Sequence, residues 1–397
     1  MQNPLEPSKN KSSTQKARIV DTTNTCKRAW LEVDPKAIEA NTSKIKKILS
    51  KNCILMAVVK ADGYGHGAVN VAKAAIKGGA KSLGIATLKE GIELRKADIK
   101  CPILLLGNLI DEDELEACID WSLMPTICNI KEALICEKLG RRKRKQISVQ
   151  IKLDTGMTRL GCDLKEGKSL FNEIENSNYL KLEGIYSHLA LADISEDLQS
   201  CSFTQEQQSK FDQFINKLPN ITNICCHLAN SAGTLSDQSL HYNMVRVGLA
   251  IYGYSPIEDL EKKLKLKPAL SVKARITLIR NVDEGIGVSY GHKFVTKRPS
   301  RLAVVAIGYA DGINRLLSGK ISVLCKSHRL PQVGAITMDQ LLIDITDFAD
   351  IQLGDVVTLL GLDGELSITP TQWGSLCGSI TWEILCGFKH RLPRIVI

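Results

Sequence analysis

The sequence predicts an α/β fold, an N-terminal (β/α)8 TIM barrel followed by a C-terminal mainly β domain, and three observations carry that expectation. Eight short apolar runs alternate with amphipathic stretches as far as about residue 270; the alternation then stops; and 397 residues leave room for a barrel and a smaller partner domain. Parallel strands need crossover helices, and a sheet of eight can close on itself. An open doubly wound sheet is the runner-up.

In chain order the strand-like runs are Ile54–Lys60, Ser82–Thr87, Pro102–Gly107, Met124–Cys128, Ile147–Asp154, Leu182–His188, Asn223–Ala229 and Asn243–Val247. Helix-like stretches lie between them, over Ala68–Lys77, Leu88–Ala97, Asp111–Asp120, Ile130–Leu139, Leu164–Asn176 and Thr204–Lys217. Asp111-Glu112-Asp113-Glu114 fills a first helical turn with the charge that the helix dipole favours there. Beyond residue 270, Leu270–Asn281, Arg301–Ile307, Ile321–Cys325, Leu341–Ile345 and Asp355–Leu360 read as strands between turns, with little helix signal. The predicted division is a disordered basic tail over 1–28, the barrel over 29–269 and the β domain over 270–397.

With 44% hydrophobic and 24% charged residues, the composition excludes a mainly disordered, collagen-like or disulfide-scaffold chain. The best uncharged apolar run, Cys101–Ile110, is half the roughly 18–20 residues that a membrane span needs. Thirteen cysteines with no Cys-x-x-Cys pair signal neither zinc nor a redox pair, and buried thiols suit a reducing compartment. The N-terminal stretch lacks the apolar segment of a secretory signal, so a cytoplasmic protein is expected. The net charge of +9 is concentrated in residues 1–28 and in the run Arg141-Arg142-Lys143-Arg144-Lys145. That run has no interleaved aromatics and is read as a solvated loop, with neither nucleic acid nor membrane as a partner. The positive charge also suits an anionic substrate.

Barrel chemistry sits on the loops that leave the C-terminal ends of the strands. On this sequence those ends carry Lys60 and a glycine-rich loop, Lys152 and Arg159, His188, His227 with Asn230 and Ser231, and Arg246 with Gly248. Lys60 closes an apolar run, and a desolvated lysine has a lowered pKa and becomes a usable nucleophile or base. Ser231 and Gly248 lie beside the last two strands, where barrels often hold a phosphate. A lysine, a phosphate cradle and a basic rim suggest pyridoxal 5′-phosphate, with an aldolase-type imine without cofactor as the competing reading.

At this point a resemblance is visible. Ala57-Val58-Val59-Lys60-Ala61-Asp62-Gly63-Tyr64-Gly65-His66-Gly67 resembles the cofactor attachment signature of the pyridoxal phosphate-dependent alanine racemases of fold type III. The similarity recurs in Lys152–Gly161, Ala229–Ala232, Val245–Gly253, Val288–Gly291, Gly308–Gly312 and Met338–Gln340, in family order and across roughly residues 29–397. The resemblance implies a head-to-tail homodimer with shared active sites and a small amino acid as substrate. It implies that Lys60 attaches the cofactor and exchanges the substrate Cα proton on one face, while Tyr290 of the partner chain serves the other. It further implies that His188 and Arg246 tune that tyrosine, with Arg246 facing the pyridine nitrogen as a permanent cation that weakens the ring as an electron sink. Arg159 and the Met338 backbone would hold the substrate carboxylate, Tyr309 would stand at the entrance, and Lys152 matches a position often carbamylated. Tyr64, Ser231, Gly248 and Leu249 match the phosphate-binding positions, with Asn230 beside them.

The sequence departs from the family pattern at three places. Trp382 stands where tyrosine is common near the phosphate, and an indole N–H donates but cannot accept. Thr337 replaces a common cysteine, and His292 occupies a position often small or apolar. The expected reaction is interconversion of L- and D-alanine, supplying D-alanine for peptidoglycan. Racemisation of serine or a broader set of amino acids, or cofactor binding without turnover, are the alternatives. His227 is read as structural, and His66 as shaping its turn.

Overall fold

A computed structural model describes residues 27–193, 198–257, 262 and 264–397. The stretch 1–26 of the predicted tail lies outside the described residues. Eight parallel strands form the first domain: β2 (Ile54–Val58), β3 (Ser82–Ile85), β4 (Ile103–Leu105), β5 (Met124–Ile127), β6 (Ile147–Lys152), β7 (Leu180–Tyr186), β8 (Cys225–His227) and β9 (Met244–Val247). Ladders run from β8 through β7 to β2 and on to β9. The circle closes where Asn243 N–H donates to Cys226 O at 3.0 Å and Arg246 N–H to Ala229 O at 3.0 Å. The sheet is therefore a barrel and not an open sheet, and all eight predicted strand positions hold, with shifts at their ends.

Helices coat the barrel, and their starts follow local chemistry. Asp111 caps Glu112–Asp120 through the amides of Asp113 and Glu114, and Thr87 and Glu90 form a reciprocal capping box for Leu88–Lys96. The basic run differs from the expected loop. Arg141, Arg142 and Lys143 form the last turn of the helix Ile130–Lys143, where cations suit the dipole. They pair with Glu137, with Glu112 and Glu116, and with Glu116 and Asp120. Only Arg144 and Lys145 turn away from it.

The second domain is built on β10 (Leu270–Val282), β13 (Ser300–Val305), β14 (Ser322–Cys325), β15 (His328–Val333), β16 (Leu341–Asp344) and β17 (Val356–Asp363). These six form a closed circuit, because the long β10 pairs with β17 near its start and β13 near its end. β18 (Leu366–Ile368) extends β17, while β11 (Gly287–Val288) and β12 (Phe294–Val295) make a separate hairpin. Three findings correct the sequence reading. Ala29–Val33 (β1), counted there with the barrel, pairs antiparallel with β10 and parallel with β19 (Arg394–Val396), where Ala29, Leu31 and Val33 join the hydrophobic core. Pro370–Cys377 and Thr381–Gly387 are short helices in a region that showed little helix signal; a Thr369–Gln372 capping box starts the first. Arg28, at the end of the predicted tail, is also held in the fold. It donates to Asp311 Oδ2 at 2.9 Å and Oδ1 at 2.6 Å, and to Ala306 O at 2.7 Å.

Candidate active site

The strand β2 ends at Val58, earlier than its apolar run suggests, because the next residues enter a left-handed turn. Ala61, Asp62, Gly63 and Tyr64 all have φ between 51° and 60°. For the three non-glycine residues this costs on the order of 3–6 kcal/mol, so the turn persists only because its surroundings over-determine it. Glu90 Oε1 accepts from Ala61 N–H at 2.7 Å, and Asp62 accepts from Ala68 N–H at 2.9 Å while pairing with Arg394 at 2.9 Å. Gly65 lies under the helix Thr381–Gly387, where a Cβ would meet Leu385 O at 2.5 Å. Lys60 is thus fixed, half-buried, at the start of a rigid turn. Burial first, and then Arg159, lower its pKa.

Deeper in the barrel, Lys152 is 6% exposed and its Nζ lies 5.6 Å from the centre of the Tyr186 ring. Arg246 Cζ lies 5.1 Å from the same ring, which also stacks on His227 at 4.8 Å. Tyr186 Oη donates to Thr126 Oγ1 at 2.7 Å, since that hydroxyl gives its own proton to Leu105 O. One aromatic ring therefore carries two cations. Burial, then Arg246 and Arg159, bring the Lys152 pKa down to about 8.

Arg246 is 3% exposed and organises the centre of the site. Its Nη2 donates to Ser187 O at 2.7 Å, Leu228 O at 3.0 Å and His188 Nδ1 at 3.2 Å. Its Nη1 donates to His227 Nδ1 at 2.9 Å and His227 O at 3.3 Å. Both histidines accept from a guanidinium, so each carries its proton on Nε2. Burial and Arg246 hold both pKa values well below the usual histidine value, and both rings stay neutral. Gln207 steadies the His188 loop, donating to His188 O at 3.0 Å and accepting from Ala190 N–H at 2.8 Å.

A third group forms the cradle. Gly248 N–H donates to Ser231 Oγ at 3.0 Å, which leaves the serine proton free to donate. A Cβ on Gly248 would meet Tyr64 Oη at 2.6 Å, so glycine is what lets this phenol approach the backbone. Tyr64 is 7% exposed, and Leu249 is buried next to Gly248. Asn230 lies at the same edge, but its side-chain oxygen is used to cap the helix Ser231–Ser236. Trp382 is half-buried against the core on the helix that covers the Lys60 turn.

The remaining predicted residues of the β domain are exposed within one chain. Tyr290 is 73% exposed, Met338 52% and Tyr309 42%. Tyr309 N–H donates to Thr337 O at 2.9 Å and Ala310 N–H to Met338 O at 3.0 Å, so the Tyr309 and Met338 loops are joined. Sequence reasoning missed Tyr186, Gln150, Glu90 and Gln207. Period two marks the first pair, since Tyr186 precedes His188 and Gln150 precedes Lys152 by two residues. Thr87-x-x-Glu90 is a legible capping box, while Gln207, on a crossing helix, carries no such signal.

Fold and rim define a barrel enzyme suited to imine chemistry on a phosphate-bearing cofactor. The sequence matches the profiles "Alanine racemase, N-terminal domain" over residues 33–256 and "Alanine racemase, C-terminal domain" over residues 269–396. The chain belongs to the alanine racemase family. It is 58% identical to an alanine racemase of Prochlorococcus marinus over 371 residues, 93% of this chain and 96% of that one. One from Nostoc is 47% identical over 377 residues, covering 93% and 95%. Among solved structures, an alanine racemase of Clostridium difficile matches with a TM-score of 0.86 at 34% identity, covering 94% of this chain and 96% of that one. One from Bartonella henselae, described with covalently bound pyridoxal phosphate, matches with a TM-score of 0.82 at 30% identity, covering 94% and 100%.

Proposed function

We propose that this protein interconverts L- and D-alanine with pyridoxal 5′-phosphate and supplies D-alanine for peptidoglycan, the general role of its family. The observation that carries the reading is the convergence on one barrel rim of a desolvated lysine, a buried arginine between two neutral histidines, and a backbone-and-hydroxyl cradle. The donor set fits the cofactor. Lys60 would bind it covalently, Tyr64, Ser231, Gly248 and Leu249 would hold its phosphate, and Arg246 would face its ring nitrogen. When bound, the cofactor withdraws electrons from the substrate Cα and acidifies its C–H.

The chain's own residues do the rest. Burial and Arg159 lower the Lys60 pKa, which favours the amine as the group that takes or returns a proton on one face. Arg159 and the Met338 backbone orient the substrate carboxylate, and Tyr309 guards the entrance. Tyr290 of a second copy serves the opposite face, in a homodimer with shared sites. In support, Tyr290 stands on the same domain as Ile286 and Val295, each 45% exposed, and as Tyr309 and Met338. The described cysteines are free thiols, which suits a cytoplasmic setting, and no described helix is long and apolar enough to cross a membrane.

Two departures bear on substrate range. Thr337 Oγ1 donates to Gln340 O at 2.8 Å and accepts from Gln340 N–H at 3.2 Å, so its hydroxyl serves its own turn. His292 packs back over Gly287, where a Cβ would meet its Cγ at 2.4 Å. With the only Thr337 hydroxyl proton given to its own turn and His292 folded back on Gly287, alanine is expected to turn over at least about tenfold faster, as kcat/KM, than serine or lysine. Chiral chromatography of parallel reactions tests this, and faster serine turnover would overturn it.

Lys152 is the proposed carbamylation site. Its nitrogen lone pair bonds to the carbon of carbon dioxide, a proton leaves to water, and the anion sits among Arg246 and Arg159 in place of a third cation. Only the neutral amine reacts, and its pKa is about 8. At fixed dissolved carbon dioxide, carbamate should therefore increase from about pH 7 to about pH 9. Carbon-13 NMR with labelled bicarbonate reads this directly; no carbamate signal over that range would exclude the modification.

A further inference from the structure

Gln150 precedes Lys152 by two residues on β6, so both side chains leave the same face of the strand. It is 3% exposed, and its amide packs over Gly184 of β7, where a Cβ would meet Gln150 Cδ at 3.0 Å. The missing side chain lets Gln150 Oε1 reach His227 Nε2 at 2.8 Å. Across the ring, Arg246 Nη1 lies 2.9 Å from His227 Nδ1. A guanidinium has no acceptor, so Nδ1 accepts, Nε2 carries the proton of the neutral ring, and Gln150 Oε1 receives it. The reversed amide would set N–H against N–H, which fixes its orientation.

We propose that Gln150 is a positioning residue of the racemase reaction: by accepting the Nε2 proton it holds His227 in the one tautomer that can receive Arg246, and thereby fixes the guanidinium against the cofactor ring nitrogen. This rests on the assignment of Arg246 to that nitrogen. The contacts of Arg246 with His227, His188, Ser187 and Leu228 all come from Nη1 and Nη2, so Nε is the donor they leave for the ring. Gln150 is neutral, and this matters: an acceptor without charge keeps His227 uncharged next to a cation, whereas a carboxylate would stabilise a second ring proton. That proton on Nδ1 would face the arginine N–H and push the guanidinium away.

The test is the holoenzyme labelled with nitrogen-15 at histidine. In the native protein His227 should show a protonated Nε2 and a bare Nδ1 at neutral pH. In Gln150→Glu both nitrogens should be protonated, the absorption of the bound cofactor should shift, and kcat should fall by about tenfold or more while KM for alanine stays within about threefold. A Gln150→Glu enzyme with a neutral His227, or with kcat within about twofold of native, overturns the proposal. Should that variant not fold, Gln150→Met decides. A fall in kcat of about fivefold or more with a shifted cofactor absorption supports the role, and kcat within about twofold overturns it. Arg246→Lys separates the two layers. If it leaves absorption and turnover unchanged, the arginine assignment falls and the Gln150 role with it; if it changes both while the Gln150 variants do not, only the Gln150 role falls.

Discussion

Lys60→Ala and Tyr290→Phe protomers, each nearly inactive alone, are expected to regain racemase activity when mixed and allowed to exchange subunits. On the proposed roles, loss of the lysine would remove both cofactor attachment and one proton carrier, and loss of the tyrosine hydroxyl would remove the other carrier. Proton carriers contribute about 10²–10⁴-fold each, so Tyr290→Phe should fall by that factor and Lys60→Ala by more. In a shared-site dimer, a mixed pair has one site with both defects and one intact. Random exchange of equal amounts makes half the dimers mixed, so activity should recover to about a quarter of native. The physical basis is the position of Tyr290, 73% exposed on the β domain, while Lys60 lies half-buried at the barrel rim. No recovery despite proven exchange would mean that each site is completed within one chain.

Arg246→Met should be both unstable and nearly inactive. The guanidinium satisfies the carbonyl oxygens of Ser187, His227 and Leu228 and the Nδ1 atoms of two histidines inside the barrel. A thioether satisfies none of them. Stranding buried acceptors costs about 1–3 kcal/mol each, moderated where the pocket relaxes, so a loss of about 3–5 kcal/mol is expected in urea denaturation. An Arg246→Met protein that unfolds at the native midpoint would show that these acceptors find other partners.

Much of the molecule is legible in the sequence because its signals are periodic or local. The eight barrel strands follow from alternation, and the rim lysine, histidines and arginine from the rule that barrel chemistry sits at strand ends. The sequence reading misplaces β1 for a physical reason: a strand's pattern shows that it is half-buried, not which sheet buries it, and the pairing of Ala29 with Ala274 spans most of the chain. It misreads the basic run because Glu112, Glu116 and Asp120, which neutralise it, lie on the preceding helix. The left-handed turn after Lys60 is legible only in part. Its glycines signal a turn, but Ala61 and Tyr64 adopt φ above 50° because Glu90, Asp62 and the C-terminal helix hold the backbone there.

The central claim is that two carriers, Lys60 and Tyr290, move the Cα proton of alanine from opposite faces. Its most direct test is the native holoenzyme with L-alanine in deuterium oxide, read early by proton NMR and chiral chromatography. The account predicts D-alanine that carries deuterium at Cα, because the proton removed on one face is not the one delivered on the other. D-Alanine that retains the original proton would contradict it by showing a single carrier, and Cα exchange without inversion would show that the second carrier is absent.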